Sequence, residues 1–166
     1  MQQFTRHVDN MMFCLSKGLS CPVGSLVVGT EEHVQRARRN RKILGGGMRQ
    51  AGVIAAAGIV ALETMIDRLE DDHRNARLLA EGLLKIDGVK VDVKTVQTNM
   101  VMFDVDGLGV RADAFVKKLK EHGVLSGNMS RTRVRMVTHR GIEQEDIEKA
   151  LTLIDETVKE LRLKKP

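Results

Sequence analysis

Tryptophan and tyrosine are absent from this 166-residue chain, and phenylalanine occurs only as Phe4, Phe13, Phe103 and Phe115. So small an aromatic supply argues against recognition surfaces built on stacked rings, such as single-strand nucleic-acid platforms. Cysteine is equally scarce. Cys14 and Cys21 are too few for a disulfide framework, which makes a reduced, cytoplasmic setting the expectation. They are also too few for a zinc site, which needs about four ligands. Long hydrophobic runs are missing as well. The longest uncharged apolar run, Ala51 to Leu62, has twelve residues, against about 20 for a membrane span. Arg6, His7 and Asp9 interrupt the place where a signal peptide needs a continuous apolar stretch. No membrane partner is therefore expected.

What is present is ordinary for a globular protein. Lysine and arginine number 27 against 22 aspartates and glutamates, a formal charge of +5, with 42% hydrophobic and 30% charged residues. The length allows one domain or two small ones. A chain of this size can bury roughly 70% of its unfolded surface.

The pattern falls into two parts. Met11 to Cys14 and Leu26 to Val28 are short apolar runs that read as strands of a sheet buried on both faces. Thr30 has the chemistry of an N-cap, with Glu31 and Glu32 in the first turn, where a helix dipole favours negative charge. That helix should run to about Leu44 and stop at Gly45-Gly46-Gly47. From Arg49 to about Ile86 the signal is helical, first apolar nearly all round and therefore expected to be buried, then amphipathic beyond Glu63. The change suggests passage into a second, smaller domain.

From Val89 onward, Val89, Val91 and Val93 alternate with charged residues as in a half-exposed strand. Met100 to Val105 reads as a more buried strand. Ala112, Phe115, Val116 and Leu119 mark a helix, and Val124-Leu125 a short edge strand. Val134, Met136 and Thr138 share one face of a strand, with Arg133, Arg135, Val137 and His139 on the other. Ile147, Ala150, Leu151, Ile154, Val158 and Leu161 stripe a final helix. The order ββαββα predicts a sheet with two helices on one face.

Three features could carry chemistry. Lys17 follows a strand and precedes a glycine, on a tight turn beside apolar backbone. Desolvation there would lower its pKa from about 10.4 and free the amine for covalent chemistry with a carbonyl; the alternative is a surface-loop lysine. Arg36, Arg38, Arg39, Arg41 and Lys42, followed by the glycine triplet and Arg49, could bind phosphate on a nucleic acid or a cofactor, or could simply be a solvated helix face. Arg135, mid-strand beside Arg133, suits two-pronged binding of a carboxylate, or a cross-strand ion pair.

The stretches MFCLSKGLSCPVGSLVVG (Met12 to Gly29), ILGGGMRQAG (Ile43 to Gly52) and VRMVTH (Val134 to His139) resemble, in order and spacing, segments of the low-specificity L-threonine aldolases. The resemblance runs from about Phe4 to the end of the chain. It implies an α/β protein, the C-terminal part of an aspartate-aminotransferase-like fold. Residues 1–65 would be a remnant of the large domain that binds pyridoxal 5'-phosphate (PLP), 66–88 a connecting helix, and 89–166 a complete small α+β domain. By the same resemblance Lys17 is the lysine that holds PLP as a Schiff base. Lys42 and Arg49 lie near the cofactor, and Arg135 binds the substrate carboxylate. His139 closes the last segment as either a base or a structural histidine.

The family places most of its cofactor domain before the lysine, whereas 16 residues precede it here. The chain is therefore expected to be truncated and inactive alone, its missing half supplied by another chain or lost. The implied reaction is cleavage of L-threonine or L-allo-threonine, β-hydroxy-α-amino acids, to glycine and an aldehyde, in a homo-oligomer that binds no nucleic acid. The alternatives are an inactive fragment or pseudo-enzyme, and a basic phosphate- or nucleic-acid-binding module.

Overall fold

A computed structural model describes residues 2–163, so the last three residues of the expected 89–166 domain lie outside the described residues. The chain forms two compact units, one ending at Arg68 and the next starting at Leu69.

The first unit contains a helical turn α1 (Gln2–Thr5), strands β1 (Asn10–Cys14) and β2 (Ser25–Gly29), and helices α2 (Glu31–Ile43) and α3 (Gly52–Thr64). The two apolar runs are strands, paired antiparallel with Asn10 opposite Gly29 and Cys14 opposite Ser25. They are not buried on both faces. Phe13 and Leu26, opposite one another, pack on the small cluster of Leu15, Cys21 and Ala61, while Met12 on the other face is 60% exposed. A two-stranded ribbon with one packed side leaves alternate residues in solvent.

Thr30 caps α2 as expected, its Oγ1 accepting from the His33 N–H at 3.3 Å. The helix ends in a Schellman motif. Gly45 takes the left-handed conformation at φ +80°, its N–H donates to Lys42 O at 3.2 Å, and the Gly46 N–H donates to Arg41 O at 2.8 Å. Those two amides are thus engaged by the helix end and do not form the exposed phosphate cradle that the glycine triplet suggested.

Helix α3 corrects a second expectation. Of its residues only Gly58 and Ala61 are buried, and Val53 is 76% exposed. The apolar surface all round α3 needs cover on every side, and the first unit supplies it on one. The helical run also breaks at residues 65–68, before α4 (Leu69–Leu83). Neither glycine nor proline marks that break, so the pattern read straight through it.

The second unit consists of α4, β3 (Met100–Asp104), α5 (Ala112–Glu121), β4 (Gly127–Asn128), β5 (Arg133–Val137) and α6 (Gln144–Leu163). The strands form an antiparallel sheet in the order β3-β5-β4. Val101 lies opposite Met136 and Phe103 opposite Val134, so these four share a face, and all are buried among α4, α5 and α6 residues such as Leu79, Phe115 and Ile154. Phe103 and Phe115 meet edge to face, centroids 6.2 Å apart, a geometry that adds about 0.5–1.5 kcal/mol to burial. Buried polar contacts tie α4 to the end of β5. Thr138 Oγ1 donates to Asp72 O at 2.6 Å, and Asn75 Nδ2 donates to Ile142 O at 2.8 Å.

Two expected strands differ. Val89 to Val93 makes a single bridge, Lys90 with Asp104, because a 3-10 turn at Val93–Thr95 intervenes, where the Asp92 carboxylate accepts from the Lys94 N–H. The edge strand is Gly127–Asn128 rather than Val124-Leu125, since it is Gly127 that meets Arg135 in register.

The core of the second unit is extensive, and that of the first is limited to Leu15, Cys21 and Ala61 with their partly buried neighbours. Limited proteolysis of the purified chain should therefore cut first within residues 2–68 and leave a resistant fragment beginning near Leu69. Protection of both units to the same protease dose would contradict this.

Candidate functional site

Lys17 sits in the loop that joins β1 to β2. The loop is tightly folded: the Ser20 N–H donates to Lys17 O at 2.9 Å, the Leu15 N–H to Gly24 O at 2.9 Å, and the Cys21 N–H to Leu15 O at 3.1 Å. Ser20 adopts φ +60°, which lets the chain reverse after Leu19. Both flanks are pinned to α3. Leu15 and Cys21 are buried, and Cys21 Sγ donates to Ala57 O at 3.3 Å. Gly58 leaves room for this approach: a Cβ there would stand 3.1 Å from Leu15 Cδ1, so the leucine would have to give by a few tenths of an ångström. Lys17 is thus held on a tight turn, as expected, but its side chain is exposed, so the desolvation expected of it is not found in this chain. Its amine makes no hydrogen bond or ion pair among the described residues.

Lys42 and Arg49 belong to the same unit and are both exposed. Lys42 lies along the glycine triplet: a Cβ on Gly47 would fall 2.9 Å from Lys42 Cδ. Helix α2 has no buried residue, and within its basic run Arg36 faces Glu32 at 4.0 Å.

Arg135 belongs to the second unit. It is exposed on the open face of the sheet, on the central strand, opposite Met102 on β3 and Gly127 on β4. No carboxylate pairs with it among the described residues. The cross-strand ion pair weighed for this position belongs instead to Arg133, whose Nη2 lies 2.7 Å from Asp104 Oδ2. The Asp104 carboxylate beside it holds the Arg133 proton more firmly than usual, first by hydrogen bonding and then by charge. His139 is exposed, with Nδ1 2.8 Å from Arg140 O, and lines a hollow of about 380 Å³ together with Met136, Ile147 and Lys149. Sequence reading missed Asp104, Leu15, Cys21 and Gly58. Their roles depend on strand register and on an inter-element approach that no local pattern encodes.

This architecture is part of an aspartate-aminotransferase-like fold. Oryza sativa TDC, determined with PLP, superposes at a TM-score of 0.76 with 15% identity, over 95% of this chain and 37% of that one. The model of the beta-eliminating lyase family matches residues 1–106, and the chain belongs to that family. It is 40% identical over 157 residues to low-specificity L-threonine aldolase 1 of Arabidopsis thaliana, over 94% of this chain and 44% of that protein. It is 41% identical over 147 residues to the low specificity L-threonine aldolase of Escherichia coli (strain K12), over 89% of this chain and 42% of that protein. The chain thus spans less than half the length of these relatives. The Arabidopsis match leaves about ten residues of this chain outside it, too few to exclude either Lys17 or Arg135.

The contact between Gly58 and Leu15 can be tested directly. Gly58→Val should cost about 1–3 kcal/mol of stability in the first unit through overpacking. Amide exchange at Leu15 and Cys21 should speed up with it. Unchanged exchange there would show that α3 does not hold the Lys17 loop.

Proposed function

We propose that this chain carries the lysine and carboxylate-binding parts of a PLP-dependent aldehyde-lyase. The reaction cleaves L-threonine or L-allo-threonine to glycine and an aldehyde. The observation that carries the reading is a pair of uncompensated cations at the positions the family resemblance singles out. Among the described residues, Lys17 presents an unpaired side-chain nitrogen on a loop pinned to α3, and Arg135 presents a guanidinium without a carboxylate partner on the central strand.

The donor set fits the cofactor: a primary amine able to join its aldehyde, with Lys42 and Arg49 as cations for its phosphate. Bound there, PLP would supply an electron sink for bond cleavage at the substrate Cα. The chain's own groups do the rest. Lys17 is the covalent anchor. Arg135 clamps the α-carboxylate in two-pronged fashion and so fixes which Cα bond is aligned for cleavage. Loss of the β-hydroxyl proton releases the aldehyde as Cα–Cβ breaks, and a proton delivered to Cα completes glycine.

In this reading residues 1–65 are the cofactor-domain remnant, 66–88 the connection and 89–166 the small domain. The exposed apolar surface of α3 favours a further copy or the remaining half of the enzyme as partner. Two free thiols, Cys14 and Cys21, favour a cytoplasmic setting. Among the described residues, no helix is long and apolar enough to cross a membrane.

Two experiments test the proposal. In a chimaera of the Arabidopsis relative that carries this chain in place of its matched part, borohydride reduction after incubation with PLP, followed by peptide mapping, should fix the cofactor on Lys17, and Lys17→Ala should abolish that label. Label on a different lysine there would refute the assignment. In the same chimaera threonine cleavage is expected. There Arg135→Lys should lower kcat/KM about 10- to 100-fold, the worth of a charge-assisted bidentate contact of roughly 1.5–3 kcal/mol. Unchanged efficiency would remove Arg135 from the site.

A further inference from the structure

Two arginines stand on the open face of β5, and among the described residues only one of them is paired with a carboxylate. Arg133 and Arg135 are two residues apart, so their Cα atoms are separated by about 7 Å along the strand and both side chains leave the same face. Arg133 lies directly opposite Asp104 in the β3–β5 register. Its Nη2 and Nε donate to Asp104 Oδ2 at 2.7 and 3.3 Å. Thr132 Oγ1 donates to Oδ1, the other oxygen, at 3.2 Å. The Asp104 side chain is held from two directions and is 26% exposed.

Arg135, in the next outward position, faces Met102 and Gly127, neither of which offers a carboxylate. The space on its Gly127 side is open: a Cβ at Gly127 would meet nothing within 4 Å. Lys90, whose backbone bridges to Asp104, pairs with Asp106 at 2.9 Å and adds no free cation. The strand therefore presents one available guanidinium where its sequence supplies two.

We propose that Asp104 is a specificity-determining residue of the carboxylate site. It occupies Arg133 and so restricts the substrate to amino acids with a single carboxylate. Amino acids with a second, side-chain carboxylate, of the β-hydroxyaspartate type, are excluded. Asp104 acts through Arg133 and is a positioning residue. The inference rests on the role given to Arg135 above. With Asp104 removed, two guanidinium groups about 7 Å apart would form a clamp for a dicarboxylate.

The test uses this chain, with nitrogen-15 NMR of the arginine Nε–H groups at constant ionic strength and acetate and succinate as probes. In the unaltered chain both probes should shift Arg135, leave Arg133 in place, and bind within about twofold of each other, since each meets one guanidinium. In Asp104→Ala, succinate should shift both arginines and bind about tenfold more tightly than acetate, the worth of one added charge-assisted contact. Asp104→Asn, which keeps side-chain volume and a hydrogen-bonding oxygen, should move in the same direction. Asp104→Ala combined with Arg133→Met should return the two probes to parity. A merely structural role for Asp104 would lower stability without changing the succinate-to-acetate ratio. Parity in both single variants, with the sheet's amide spectrum intact, would overturn the inference while Arg135 still responds to acetate. An unaltered chain that already prefers succinate would overturn it too. Absence of any Arg135 shift with either probe would instead refute the Arg135 assignment, and this inference would fall with it.

Discussion

Alternation along β5 is the constraint on which the second unit depends. Successive strand residues must point to opposite faces, so burying Val134 and Met136 against Val101, Phe103 and the helices obliges Arg133 and Arg135 to face outward. A slip of one residue would bring both guanidinium groups into the core and put two apolar side chains in water. The hydrophobic core and the candidate carboxylate clamp are therefore one geometric choice. The rigidity of the clamp follows from the same source, because β5 is the central strand and is hydrogen-bonded on both sides.

The first unit is organised differently. Its candidate group, Lys17, is not mounted on a regular element. It stands on a loop whose flanks, Leu15 and Cys21, are buried against α3. Side-chain packing and a hydrogen bond from Cys21 Sγ to Ala57 O take the place that a strand ladder takes for Arg135. Such a support is only as firm as the helix behind it, and most of the apolar surface of α3 is open. A chain that spans 44% of a 40%-identical relative carries apolar surface that its own residues do not cover.

Legibility in the sequence followed the range of the interactions. The cap at Thr30, the stop at Gly45, the alternation along Arg133–Val137 and the stripe of α6 are fixed within a few residues of themselves and match the sequence pattern, although the strand ends at Val137, before Thr138 and His139. Burial of β1, β2 and α3 was misread, because an apolar run records what a segment could bury and not what stands beside it. The 89–93 segment alternates like a strand, yet a local turn capped by Asp92 competes with pairing and wins.

The candidate residues divide in the same way. Lys17 and Arg135 stand out as candidates in the chain alone, since the family motifs and strand alternation are both linear properties. The turn around Lys17 followed from its place after a strand and before a glycine. Which arginine would be neutralised did not follow, because Arg133 and Arg135 are equivalent in the linear pattern. Only the pairing of β3 with β5 sets Asp104 opposite the first and Met102 opposite the second. Alternation is local and periodic, so the sequence determines it; register joins residues some thirty positions apart, and only the folded sheet decides it.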